Sequence, residues 1–85
     1  MNLYEIGAEI VDLQAHLDSL EFQFKVEESP EVRGDLQRQV SLLPDRIRNA
    51  EVNLQIAERT GKPASVEAAR KAVLAAWRLT GTLVE

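Results

Sequence analysis

The sequence predicts an all-α fold: an antiparallel hairpin of two long helices with a shorter third helix, packed in the manner of a coiled coil. Three observations carry this. Leu3, Ile6, Ile10, Leu13, Leu17, Leu20 and Phe24 recur at alternating steps of three and four, the spacing one helix face needs to lie along another helix. A second run, Leu36, Val40, Leu43, Ile47, Ala50, Leu54 and Ala57, keeps steps of four and three throughout. Thr60-Gly61-Lys62-Pro63 then stops the helix. Glycine suits the left-handed position just past a helix end, and proline cannot continue the helix. The 85 residues make one domain, 1–85, and contain no cysteine to staple a marginal core. Long regular helices and self-association are the remaining sources of stability.

Helix 1 is expected from Leu3 to about Glu27. Asn2 and Glu5 form a capping-box pattern at its start. Gly7 costs up to about 1 kcal/mol inside a helix, and close approach of another backbone is one reason to keep it. Glu27-Glu28 opposes the macrodipole at the end, so fraying is expected there. Ser29 is read as the cap of helix 2, with Pro30 in the first turn, where a missing N–H costs nothing. The short connection makes helix 2 antiparallel to helix 1.

Helix 2 is expected from Pro30 to about Arg59, bent at Pro44. A proline inside a helix removes one hydrogen bond and clashes with the preceding turn. The stripe nevertheless stays in phase across it, which favours one helix. The alternative is a break at Leu42-Leu43, with Pro44-Asp45 opening a new segment. Helix 3 is expected over about 64–80, with Ser65 a candidate cap. Its apolar arc runs Val66, Ala69, Ala72, Val73, Ala76, Trp77, Leu79, Thr80 and Leu83, and its polar side includes Glu67, Arg70, Lys71, Arg78 and Thr82.

Helix 1 carries a further stripe: Tyr4, Ala8, Val11, Ala15, Phe22 and Val26. At about 100° per residue it lies roughly 190° from the first. A helix with two opposed apolar faces wants two apolar neighbours, and either helix 3 or another chain would cover the second face. The candidate partner-binding residues are therefore Tyr4, Val11, Ala15, Phe22 and Val26. Trp77 joins them as the largest apolar side chain of helix 3. The expected partner is a second copy of the chain, in a homodimer or larger assembly, and/or another protein.

Charge narrows the function classes. The chain has a formal net charge of −4 and a pI near 5.0. Residues 1–31 hold eight acids and one base, net −7, whereas residues 32–85 hold nine bases and six acids, net +3. The two parts are expected to attract one another within one chain or dimer, or to recruit an oppositely charged partner. A nucleic-acid-associated regulator using Arg33, Arg38, Arg46 and Arg48, or Arg70, Lys71 and Arg78, is the alternative reading. The acidic balance weighs against it, as does a first helix far longer than a helix-turn-helix uses.

The longest apolar run, Ala72 to Trp77, is too short to span a bilayer. No cationic leader opens the chain, so a cytoplasmic location is expected. His16 shares a helix face with Glu5, Glu9 and Asp12, a pattern that can hold a metal. One helix offers too few ligands, so no metal site is expected. Neither a nucleophilic triad nor a glycine-rich phosphate loop is present. The chain is read as a non-enzyme without a cofactor. Its opening Leu3-Tyr4-Glu5-Ile6 resembles the start of some small helical phage proteins. The rest departs from the long charged coiled coil of that family, so no function is carried over; a bacterial or phage origin fits the expected cytoplasmic location.

Overall fold

The computed structural model describes residues 1–81. They form three helices in order: α1 (Leu3–Val26), α2 (Pro30–Thr60) and α3 (Pro63–Leu79). Linkers of three and two residues leave each helix no path except back along its predecessor. The result is an all-α hairpin bundle 46 Å long and 20 × 16 Å across. Thr82 and Leu83, assigned to the two sides of helix 3 by sequence, lie outside the described residues.

The caps explain the boundaries. Asn2 Oδ1 accepts from the Glu5 N–H at 2.8 Å, and Glu5 Oε1 accepts from the Asn2 N–H at 3.3 Å. At the other end of α1, Arg33 of α2 reaches back. One of its guanidinium nitrogens donates to the Phe24 and Glu27 carbonyls, at 2.6 and 3.1 Å. Its carbon sits 4.4 Å from the Phe24 ring centroid. A cation on the orphaned carbonyls offsets the two nearby glutamates. Ser29 occupies the cap position of α2, but its side chain makes no capping bond. Its N–H donates instead to Glu27 Oε1. Gly61 adopts φ 63° and its N–H donates to the Ala57 carbonyl, a left-handed stop that needs glycine.

Lys62, not Ser65, is the cap residue of α3, because Pro63 already takes the first helical position. Ser65 lies in the first turn, and its hydroxyl accepts from Thr60 Oγ1. Pro44 lies inside an unbroken α2. The break at Leu42-Leu43 therefore does not occur. Burial of Leu43 and Ile47 on either side of the proline holds the helix through the lost bond.

The core is wholly aliphatic. Ile6, Leu13, Leu43, Ile47 and Val73 are its largest fully buried side chains, and no polar or charged side chain is buried among the described residues. Ala50 and Ala57 of α2 and Ala69, Ala72 and Ala76 of α3 are buried with them, which lets these two helices approach closely. Leu74 is also buried, although it falls outside the arc read from sequence. Arg46 donates to the Ala75 carbonyl at 2.9 Å. In that antiparallel register the end of α3 is level with about residue 42 of α2. The tip of the α1–α2 hairpin extends beyond it.

Candidate interaction surface

The position of α1 in the bundle decides which of its faces is free. α2 approaches on the side of Gly7 and Gln14. A Cβ built on Gly7 would stand 3.8 Å from Leu54 Cδ2, and Gln14 Nε2 donates to Glu51 Oε1 at 3.2 Å. α3 approaches on the side of Glu9 and His16. Trp77 Nε1 donates to Glu9 Oε2 at 2.7 Å, and the Trp77 ring lies 5.6 Å from the His16 ring at 52°. Both neighbours thus share the inner stripe, where Ile6, Ile10, Leu13, Leu17 and Leu20 are buried.

The second stripe points the other way and is covered by neither helix. Tyr4 is 85% exposed, Val11 67%, Phe22 66% and Val26 60%. Ala8 and Ala15 between them are also exposed. At 1.5 Å per residue, the band from Tyr4 to Val26 is about 33 Å long. At its N-terminal end it continues into an open groove of about 580 Å³, floored by Leu3, Gly7, Ala8 and Leu54 and edged by Glu58. Sequence reading found the band from its spacing but not the groove. The groove depends on how far Leu54 of α2 stands from Gly7, which no single-helix pattern encodes.

Five of the six candidate binding residues therefore share one surface. Trp77 lies apart from them. Its ring packs against the core and its N–H is satisfied within the chain, so it anchors α3 onto α1.

The charge around the band is not neutralised from within. The one ion pair among the described residues joins Arg70 to Glu67 inside α3. That guanidinium holds the Glu67 carboxyl below its usual range, and the carboxylate raises Arg70 in turn. The attraction expected between the acidic first helix and the basic remainder takes no such form. Apart from Arg33, the polar contacts between helices are single hydrogen bonds, in which Glu51, Arg46 and Glu9 each meet an uncharged partner. Glu5 and Asp12 flank the band, Asp18 and Lys25 fall within its repeat, and all four are exposed.

Of the residues sharing a face with His16, Glu9 is taken by Trp77 and Glu5 by the cap. No group of three or more His, Asp or Glu side chains among the described residues could hold a metal ion. No described helix is long and apolar enough to cross a membrane. Comparison with family models, characterised proteins and solved structures finds no match.

Proposed function

We propose that this chain is a non-enzymatic helical interaction module that assembles with further copies of itself through the outer face of α1. The observation that carries this reading is the exposed band from Tyr4 to Val26. An exposed apolar row of this length, interrupted by charge only at Asp18 and Lys25, is uncommon on proteins that work alone and marks interaction sites. The aliphatic inner stripe already provides the fold, so the outer one is surplus to folding. A cytoplasmic setting and a bacterial or phage source belong to the same proposal, on the sequence grounds given above. The nucleic-acid reading remains second to it: Arg33, Arg46 and Arg70 are engaged within the chain, and the net charge of −4 opposes phosphate binding.

Sedimentation equilibrium over a wide concentration range tests the proposal. Association should appear in the unmodified chain and be lost in Val11→Asp, with the helical circular dichroism of both unchanged. A single-chain mass for the unmodified protein at every concentration would overturn it.

A further inference from the structure

Resting on that reading, we infer which surface covers the band: the outer face of α2 on a second copy, joined head to tail. Two α1 bands facing each other in parallel would set Glu5, Asp12 and Asp18 of one copy level with the same acids of the other, and in antiparallel register Glu5 would meet Lys25 but Asp12 would still lie level with Asp18. Like charges set together at an interface oppose association. Asp12 and Asp18 have no ion-pair partner among the described residues, so their charge is available to an incoming surface.

From Arg48 onward, one turn past the exposed Asp45, α2 offers the complement. Arg48, Val52, Ile56 and Arg59 fall at steps of four, four and three, which is one stripe of a helix. All four are exposed, and the two apolar members are 47% and 44% exposed. Neither arginine has an ion-pair partner among the described residues. The stripe points away from both seams, which α2 makes through Leu54, Glu51, Ala50, Ala57 and Arg46.

The α2 stripe is about half the length of the band and matches its N-terminal part, leaving Phe22 and Val26 beyond it. On α2 the two arginines bracket an apolar pair over about 16 Å, and on α1 Glu5 and Asp18 bracket Ala8, Val11 and Ala15 over about 20 Å. Arginine side chains are long enough to take up that difference while their stems lie along apolar surface. Because each copy uses two different faces, the contact is heterologous. It does not stop at two copies unless the rotation between them closes a ring.

Charge reversal separates this arrangement from a symmetric one. The unmodified chain should sediment as species larger than a dimer at low ionic strength and shrink as salt is added. Arg48→Glu with Arg59→Glu should give single chains, as should Asp12→Arg with Asp18→Arg. Mixing the two variants should restore assembly, since each then meets an opposite charge. Glu5 is left unchanged because it caps α1. Circular dichroism of each variant checks that the helices persist. If the α2 variant assembles like the unmodified chain, the head-to-tail contact is refuted while self-association through α1 stands. If the unmodified chain is monomeric throughout, both fall. If mixing fails to restore assembly between folded variants, the charge pairing is refuted.

Discussion

The two faces of α1 are both apolar, yet only one of them makes the fold. The inner face is five buried aliphatic side chains, Ile6, Ile10, Leu13, Leu17 and Leu20, in unbroken steps of three and four. The outer face mixes Tyr4 and Phe22 with Ala8 and Ala15, and Asp18 and Lys25 interrupt it at the next positions of its own repeat. A regular aliphatic row fits a permanent seam, because each side chain meets the same spacing on the facing helix. A row of uneven sizes broken by charges suits a contact that forms and comes apart, with charge choosing the partner.

Stability measurements sharpen this contrast most directly. Leu13→Ala should cost about 2–5 kcal/mol, the range for a buried leucine whose cavity cannot collapse, because Leu13 has no exposure. Val11→Ala, two residues away on the outer face, should change the unfolding of the single chain by less than about 0.5 kcal/mol. Urea melts at low protein concentration check both. Comparable losses at the two sites would mean that the outer face also belongs to the fold.

A second test asks how far the seam overrides local preference. Pro44 costs α2 about 3 kcal/mol of helix stability, and its stiffening of the unfolded chain returns about 1 kcal/mol. Since the helix is continuous there, Pro44→Ala should raise stability by about 2 kcal/mol. A loss on thermal unfolding would show that the ring is needed for packing.

The flanks between the faces come next. Trp77→Phe removes the bond to Glu9 and should cost about 1 kcal/mol. Glu9→Gln can still accept that bond and should cost less. Equal losses in denaturant melts would mean that the carboxylate charge is what Trp77 requires. On the opposite flank, Gly7→Ala should gain about 0.5–1 kcal/mol. The added methyl meets Leu54 at ordinary contact distance, so close approach does not require glycine. A loss would mean that α2 lies nearer than the 3.8 Å separation indicates.

Much of this was legible in the residues. The steps of three and four gave the seams, and the phase kept across Pro44 gave one helix where propensity alone would have given two. The outer band followed from the same spacing. What could not be read came from elements distant in sequence. Arg33 on the Phe24 and Glu27 carbonyls, Arg46 on the Ala75 carbonyl and Trp77 on Glu9 each depend on the register between two helices. Ser29 and Ser65 have the right residue type for caps, but Pro30 and Pro63 open their helices without needing a side-chain bond. Leu74 is buried outside both the arc read from spacing and the main core cluster, so the stripe pattern gave no signal for it.

The smallest expected effect tests whether charge pairing matters to the fold at all. Glu67 and Arg70 are the one ion pair among the described residues, set one turn apart in α3, whereas the acids around the outer band are unpaired. The Glu67 carboxyl is depressed first by its hydrogen bond to Arg70, with burial opposing it. A carboxylate with a lowered folded pKa stabilises above its unfolded pKa of about 4.5 and loses that contribution as pH falls through the folded value. The difference in melting temperature between the unmodified chain and Glu67→Gln should be small at neutral pH. It should shrink further in salt and vanish once the pH lies below the depressed value. A difference that persists in acid would assign Glu67 a role other than its charge.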